Sequence, residues 1–470
     1  MKHIKIFLLS LASSFGALAA DIDVTPGQLE SLLGDGGKGQ EELVIRGKID
    51  ARDLATLENL SSDVKKLDLS KVSIEALTMP TRKYFGRTLF NEDEIPAYTF
   101  FKSGVTTLIL PDDVTSICEG AFAGSAITEI SIPEGVTAIG DYAFYGCQAL
   151  EKVILPKSLT TIGKGVFGNC NSLKSIDLSS TQLTAIPERA FAGSMSLIEI
   201  KLPASVKSVG REAFSHTSIE VLNLSNVIKF EEYALSSMPF LTELSINPNA
   251  EMKEGLLMND TSLYSLTGVP EMVPDYFAAN CGALETSKLN DAESLGKYSF
   301  ANTLAPETLY LPSSLASIDR GALSGLGNIK TIDVTELGND VPAVDKYSFE
   351  GLNQLEIILW VDDKAFDKWN DDPVWGLFKV MSQNQTGVDE LPADAKSNIY
   401  IACSNNLLLI ESAAIVNDVR IYTADGRMAY VASPGQNRVE IDTASLPSGI
   451  VIVAVSDENG NARTVSLLLK

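Results

Sequence analysis

Two histidines and five cysteines are the side chains of this 470-residue chain that could act as a general base, a nucleophile or a soft metal ligand. His3 lies in the first few residues, so His216 is the candidate base, and Cys170 is the nearest comparable thiol. A nucleophile and its base must approach to about 3 Å. Zinc sites need clustered cysteines and histidines, and no such cluster occurs in this sequence. The question is which elements place His216 and Cys170.

A glycine-rich segment and an acidic segment raise the possibility of phosphate or calcium binding. GDGGKG at residues 34–39 lacks the Gly-Lys-Ser/Thr ending and the preceding strand of a phosphate-binding loop, so we interpret it as a turn. The acidic side chains of residues 362–372 lack the spacing of an EF-hand loop, and we interpret them as a solvated face. No carboxylate pair stands out as a glycosidase couple. We predict a protein that is not an enzyme, with no catalytic residues, no cofactor and no metal.

The elements that position these residues are set by a repeat of twenty-odd residues. A fixed period of this length indicates a solenoid. Each repeat, which we call a rung, has a short alternating strand that often ends at proline, an apolar pair three residues apart, and a tight corner at Ala-Phe. The large corner residues are Phe100, Phe122, Phe144, Phe167, Phe191, Phe214, Leu235, Leu257, Phe277, Phe300, Leu323 and Phe349. One rung cannot bury its apolar side chains alone, so the next rung must cover them, about 4.8 Å away.

This repeat separates the candidate catalytic pair. Cys170 lies three residues after Phe167 and His216 lies two residues after Phe214, so the two are two rungs apart. Two rungs span about 9–10 Å, which is too far for a nucleophile and its base. Cys147 shares the corner position of Cys170 one rung earlier. We expect these two thiols to be adjacent but unbonded, because equivalent side chains on stacked rungs point in parallel.

An array of rungs needs covered ends. Residues 43–70 predict a front cap, in which a strand leads to a short helix with Leu54, Leu57 and Leu60 on one side and then to a first rung. Residues 357–378 break the repeat at the back. The aromatic side chains expected to cover the last rung are Trp360, Phe366, Trp369 and Trp375. Residues 247–295 depart from the regular pattern, and we expect a local irregularity there.

The rungs resemble the BspA-type leucine-rich repeats of bacterial surface proteins. The segments that carry the resemblance are LPDDVTSICEGAFAGSAITEISIP, IPEGVTAIGDYAFYGCQALEKVILP and LPKSLTTIGKGVFGNCNSLKSIDL. The resemblance covers about residues 91–381 and extends to the front cap. It implies a secreted or surface protein that binds other macromolecules, often in adhesion, and it implies no reaction. The predicted fold is a β-rich leucine-rich-repeat solenoid of about 12 rungs of 20–26 residues, with N-terminal and C-terminal caps and a small all-β sandwich domain after it.

The sandwich is predicted from the change of composition after residue 381. Residues 382–398 form a polar linker, and the short β-rich runs of residues 399–470 are typical of a small sandwich. Asp425-Gly426 marks a hairpin between two of its strands. The segments RIYTADGRMA and IDTASLPSGIVIVAV resemble the C-terminal domains of type IX secretion cargo. This resemblance implies a sorting signal, and the alternative is a surface spacer.

The first residues predict export. Lys2 and Lys5, an apolar stretch from Ile6 to Phe15 and the small-x-small site Ala17-Leu18-Ala19 follow one another in the order of a secretory signal peptide. No other apolar run approaches the ~18 residues of a membrane-spanning helix, so we expect a cell-surface, extracellular or periplasmic protein. The predicted division is a signal peptide at 1–19, an N-terminal cap and first rung at 20–90, the solenoid with its C-terminal cap at 91–381, a linker at 382–398 and the sandwich at 399–470.

The predicted binding surface is the outward row of the rung strands, because alternate residues of a strand face opposite sides. The row consists of Ile109, Ser131, Ile154, Asp177, Lys201, Asn223, Ser245, Tyr310 and Asp333. It has no aromatic stripe for glycans and no basic stripe for polyanions. A net charge of −24 repels phosphate backbones and anionic lipid heads, which argues against nucleic acid and membrane-surface binding. We expect a monomer that binds a protein or another cell-surface macromolecule; the alternative is a structural cell-envelope spacer without a dedicated ligand.

Overall fold

The computed structural model describes residues 19–285, 289, 291–382, 399–404, 407–423, 427–447, 449–459 and 462–469. The predicted signal peptide up to residue 18, the linker after residue 382 and the Asp425-Gly426 hairpin lie outside the described residues. The chain divides into two compact units. The first unit holds residues up to 285 with 292–304 and 321–324, and the second holds 286–291, 305–320 and 325–470.

The predicted fold class is confirmed: stacked rungs form a β-rich solenoid, and most rungs place a short parallel strand on one face, whose successive ladders we call the front sheet. In the first unit the front strands are Ala19–Val24, Glu42–Ile49, Lys66–Ile74, Thr107–Ile109, Glu129–Ser131, Lys152–Ile154, Ser175–Asp177, Glu199–Lys201, Val221–Leu224, Glu243–Ile246 and Ser265–Thr267. In the second unit they are Thr308–Tyr310, Thr331–Asp333, Ile358–Trp360 and Lys379–Met381. A typical front strand buries its middle residue, as Val153 does between exposed Lys152 and Ile154.

Most rungs then add a two-residue parallel strand on the opposite face, which we call the back sheet. In the first unit the back strands are Glu94–Ile95, Ser116–Ile117, Ala138–Ile139, Thr161–Ile162, Ala185–Ile186, Ser208–Val209, Lys229–Phe230, Glu251–Met252, Met272–Val273 and Ser294–Leu295. In the second unit they are Ser317–Ile318 and Ala343–Val344. Their register is regular, with Ile117, Ile139 and Ile162 paired in succession. The second side chain of the apolar pair therefore enters the core at the same height in these three rungs.

The corner phenylalanines form a stacked column inside the first unit. From Phe100 to Phe214, the centres of consecutive rings lie 5.0–5.8 Å apart. Their planes are within 2–14° of parallel, and each ring is at most 1 % exposed. The backbone follows the same column, since the Phe122 amide donates to the Ala143 carbonyl of the next rung and the Phe144 amide donates to the Val166 carbonyl. The twenty-odd-residue period thus reflects one large filler per rung.

In the irregular segment the order of the small and the large corner residue is reversed, so that Phe277 comes before Ala278. The Leu257 amide donates to the Phe277 carbonyl, the place that alanine holds in regular rungs, and the Ala278 amide donates to the carbonyl of Ser299, the residue before Phe300. Ala278 therefore occupies the large-filler position, which the sequence analysis had assigned to Phe277. Both positions are fully buried, so either can carry the large side chain.

Corner residues two before the filler adopt a left-handed backbone. Several rungs use tyrosine there and the following rung uses glycine, as with Tyr98 (φ 61°) and Gly120 (φ 58°). A Cβ added to Gly120 would lie 2.3 Å from Cε1 of Tyr98, and one added to Gly165 would lie 2.6 Å from Cε1 of Tyr142. Glycine is needed here because it tolerates the positive φ and leaves room for the tyrosine ring of the preceding rung.

The front cap contains two short helices, Leu29–Leu33 and Ala51–Leu57, so the predicted helix is present and a second one precedes it. Asp53 joins them: its buried carboxylate accepts from the Leu29 amide at 2.9 Å and from the Gly27 amide at 2.7 Å. Leu54 and Leu57 are buried as expected, whereas Leu60 lies after the end of the helix and is half-buried. A small antiparallel hairpin formed by Leu77–Thr78 and Leu89–Phe90 follows the cap.

The last rungs of the second unit are covered by Trp369 and Trp375, both fully buried. The Trp375 ring lies 5.1 Å from Phe349, and the Trp369 indole donates to the Gly338 carbonyl at 2.8 Å. Trp360 does not belong to this cover, because it pairs with Asp333 on the front sheet. The helix here is Phe366–Asn370. The short 3-10 turns are Thr335–Leu337, Gln354–Glu356, Asp363–Ala365 and Trp375–Leu377.

The C-terminal residues form an antiparallel β-structure built around one long strand, Leu407–Thr423. Its first half pairs with Ile399–Ser404 and with Gln436–Asp442. Its second half pairs with Met428–Ala432 and with Gly449–Asp457, which also pairs with Ala462–Leu469. A register shift between Glu411 and Val416 separates the halves, and one apolar cluster contains residues of both. Two runs predicted as separate strands are therefore parts of one strand, which joins the two halves of a single six-stranded sheet.

Candidate functional site

All nine residues of the predicted outward row lie on front strands. Ser245 and Asp333 are half-buried and the other seven are exposed. The register brings together Ser131 with Ile154, Asp177 with Lys201, and Asn223 with Ser245. In the second unit Tyr310 pairs with Asp333.

The row is longer than the sequence analysis indicated. In the first unit Asp21, Val44 and Asp68 lead in register to Ile109, and Thr267 follows Ser245. In the second unit Trp360 and Met381 follow Asp333. The cap residues were missed because their strands are longer than those of the rungs. The alternation of buried Leu43 and Ile45 around Val44 was the available signal.

Three of the nine predicted row residues are used by the fold itself. The Asp177 carboxylate accepts from the amide and the hydroxyl of Ser179 at 2.9 and 2.6 Å, which keeps the pKa of Asp177 below its usual value. Asn223 accepts in the same way from Ser225, and Asp333 from Thr335. These Asx turns end the strand where other rungs use proline. Their side chains therefore have less capacity left for a partner.

The free row residues include large apolar side chains. Ile109 and Ile154 are 49 % and 50 % exposed, and Tyr310 is 48 % exposed. Lys201 lies 3.6 Å from the carboxylate of Glu199 on the same strand. Large apolar groups held outward on a rigid sheet favour contact with another macromolecule.

A second outward row, which is not among the predicted residues, lies two residues earlier in each strand. Glu129 pairs with Lys152, and Val221 pairs with Glu243. Val221 is 61 % exposed. The front sheet is therefore two side chains wide, with apolar groups set among acidic and basic ones.

The candidate catalytic groups do not form a site. The Cys170 thiol is buried and donates to the Phe144 carbonyl at 3.1 Å, and burial raises the pKa of Cys170 well above its ordinary value. His216 is exposed at a corner, with Nδ1 3.2 Å from the Ser237 carbonyl. The Cys147 thiol donates to the Phe122 carbonyl at 3.0 Å, and all five cysteines are free. The thiols of Cys147 and Cys170 therefore each donate a hydrogen bond to a backbone carbonyl of the preceding rung.

The two segments considered for ion binding have structural contacts. The Asp372 carboxylate accepts from the amides of Val374 and Trp375, both at 2.9 Å, and Asp362 accepts from the Lys364 amide. Residues 34–39 form a turn in which the Gly39 amide donates to Asp63. Over the described ranges, no group of three histidine, cysteine, aspartate or glutamate side chains is arranged to hold a metal ion.

In the part of the chain that the structure describes, no helix has the length and apolar character needed to cross a bilayer.

Among solved structures, the chain is similar to a leucine-rich repeat protein from Bacteroides ovatus, with 20 % identity, a TM-score of 0.59, and coverage of 81 % of this chain and 99 % of the other. A leucine-rich repeat protein from Eubacterium ventriosum has 16 % identity and a TM-score of 0.34, covering 72 % and 88 %. A leucine rich cell surface protein from Faecalibacterium prausnitzii has 18 % identity and a TM-score of 0.25, covering 47 % and 82 %. The first of these supports the fold. No curated protein matches the chain.

The model of the BspA type leucine rich repeat region matches residues 93–197, 180–271 and 271–363, which together are more than half of the chain. These are the residues whose rungs carry the stacked phenylalanines and most strands of the front sheet. The chain therefore belongs to the BspA-type leucine-rich-repeat family.

Proposed function

We propose that this chain is an exported, surface-located protein whose front sheet binds a protein or another cell-surface macromolecule, as in adhesion. The observation that carries the proposal is the in-register outward row on stacked, parallel strands. Such a sheet has little conformational freedom to lose on binding, so the free energy gained from its contacts is not offset by an entropic cost of ordering the surface. A repeat scaffold of this kind presents one outward position per rung to an extended partner.

Contact should centre on the free side chains of the row rather than on those that end strands. Ile154 is half exposed and pairs in register with Ser131, and Lys201 pairs in register with Asp177. Val221 lies nearby in the second row. Apolar anchors surrounded by polar groups are typical of the residues that dominate binding energy. Asp177 contributes chiefly by holding the strand end.

The test is capture of surface proteins from host-cell and bacterial extracts by the mature full-length chain and by an Ile154→Asp, Lys201→Glu double variant. We expect the double variant to bind the partner more weakly by about 1–3 kcal/mol and therefore to capture much less of it. Thr161→Asp, on an exposed position of the back sheet, is the matched control and should bind as the parent does. Equal capture by the double variant, or loss in the Thr161 control alone, would place the site elsewhere.

If no partner is captured by any form, the alternative of a structural cell-envelope spacer gains support. The role of the C-terminal sandwich is tested separately, by deleting residues 399–470 and measuring the amount of protein at the cell surface. We expect retention inside the cell if the sandwich is a sorting signal, and unchanged export if it is a spacer.

A further inference from the structure

The corner of the first unit carries a second exposed surface, away from the front sheet. Tyr98 and Phe101 flank Phe100, and Tyr142 and Tyr145 flank Phe144, so each pair lies beside a filler of the stacked column. These four rings are 41–47 % exposed. Within each pair the rings meet edge to face, with centres 6.0 and 5.8 Å apart. We call these four side chains the aromatic ridge.

The two pairs of the ridge are two rungs apart. The rung between the two pairs has Gly120 and Ala123 at the equivalent positions. Because Phe100, Phe122 and Phe144 are spaced by 5.3 and 5.0 Å, the two pairs are separated by about 10 Å along the stack, or two strand spacings. The intervening glycine allows the Tyr98 ring to extend over the backbone of that rung. The rings of the two pairs therefore form an exposed aromatic surface beside the stacked column.

Amide side chains border the ridge. The Asn169 amide donates to the Tyr145 hydroxyl at 2.7 Å, and Gln148 donates to the Asn169 carbonyl at 2.9 Å. The Asn171 amide in turn donates to the Gln148 side chain at 2.9 Å. Each of these amides keeps acceptor or donor capacity beyond the bonds described. These uncharged amides lie beside the Tyr142–Tyr145 pair, whereas at the other pair the Tyr98 hydroxyl donates to the Glu119 carboxylate at 2.6 Å and the Lys102 ammonium lies 5.0 Å from the centre of the Phe101 ring.

We propose that the aromatic ridge binds an extended, neutral, β-1,4-linked polysaccharide. The C–H faces of pyranose rings pack on aromatic rings, whose faces carry negative partial charge, and sugar hydroxyls bond to amides. In an extended β-1,4-linked chain alternate sugars present the same face, and this repeat has nearly the length of two rungs. A net charge of −24 disfavours anionic polysaccharides. This ligand and surface are distinct from the protein partner assigned to the front sheet.

The test is affinity electrophoresis of the mature full-length chain in gels containing konjac glucomannan or hydroxyethylcellulose, with pullulan as an α-linked polymer of different geometry. The variant is Tyr142→Gly with Tyr145→Ala, which gives this rung the residues of its neighbour, Gly120 and Ala123. Glycine suits the positive φ of residue 142, so folding should be retained, as a thermal melt will show. Tyr264→Ala, at a 57 % exposed tyrosine outside the ridge, is the control.

We expect retardation in at least one β-1,4-linked gel, weakened at least about tenfold in apparent affinity by the double variant and unchanged by the control. No retardation in either gel, equal retardation in pullulan, or full retention by a folded double variant would overturn the proposal. A protein partner lost by the double variant, without retardation in the gels, would assign the ridge to a protein and also overturn it. None of these results depends on whether the front sheet binds its own partner.

Discussion

Replacing Asp260 with serine should stabilise the protein at neutral pH, by an amount that grows as the pH rises. Asp260 lies in the irregular segment and is fully buried. One carboxylate oxygen accepts from the Met238 amide at 2.7 Å, and the other has no hydrogen-bond partner. Burial raises the pKa of Asp260 well above its usual value, because the charged form has lost its water.

The size of the expected gain in unfolding free energy follows from Ser194, which holds the equivalent position in a regular rung. The Ser194 hydroxyl donates to the Phe167 carbonyl at 2.6 Å and accepts from the Cys170 amide at 3.0 Å. A serine at position 260 should make the corresponding bonds to Leu235 and Met238. Removing an unsatisfied buried polar atom is worth about 1–3 kcal/mol.

The pH dependence adds to this gain. A carboxyl whose folded pKa is raised contributes its full stability below the unfolded pKa of about 3.9, and that stability is lost as the pH rises toward the folded pKa. The loss is about 1.4 kcal/mol for each pH unit in this window. Serine does not titrate. The difference in unfolding free energy between the serine variant and the parent should therefore widen by the same amount per pH unit.

The assay is urea or thermal unfolding of both proteins from pH 4.5 to pH 8. Ser194→Asp is the reciprocal variant; it should destabilise the regular rung, and increasingly so at higher pH. The reasoning would be refuted by a gain that is the same at pH 5 and pH 8, since Asp260 would then ionise as an exposed carboxyl does. A serine variant less stable than the parent at pH 8 would refute it as well.

Three further outcomes test the packing between rungs. Phe167→Ala should cost about 3–5 kcal/mol in unfolding free energy, because it empties one place in the stacked column, and a loss below 1 kcal/mol in denaturant unfolding would contradict that stacking. Gly120→Ala should cost at least about 1 kcal/mol, and adding Tyr98→Gly should recover part of it; no recovery would mean that the ring does not occupy that space. The buried thiols of Cys147 and Cys170, whose pKa values are raised by burial, should react with Ellman's reagent only after unfolding, whereas fast labelling of native protein or a linked peptide in non-reducing mapping would contradict their environment.

The rungs were predictable because their signal is local and repeated. Leu, Ile and Phe recur at fixed offsets, and only stacking of successive rungs can bury them all. The front cap was partly predictable, since Leu54 and Leu57 have helical spacing. The helix Leu29–Leu33 was missed because five residues contain too little periodicity to stand out.

The candidate site was predictable in position and less so in role. Alternation along a strand identified Ile154 and Lys201 as outward residues, and the structure places them so. Alternation does not show that the Asp177 carboxylate accepts hydrogen bonds from Ser179, although the Asp-x-Ser spacing is a known turn signal. The Phe277 assignment was wrong because two adjacent corner positions are equally buried, and only the hydrogen bonds between rungs distinguish them.

By itself the sequence determined that this chain stacks short parallel strands around a column of large corner side chains, because no other arrangement covers so regular an apolar pattern. Which exposed side chains are free for a ligand was decided by the tertiary structure. Tyr98 and Gly120 are 22 residues apart, and their contact exists only because one rung lies on the next. Asp260 and Met238 likewise meet across a rung boundary. Interactions between rungs depend on register, and register arises only when the whole stack has formed.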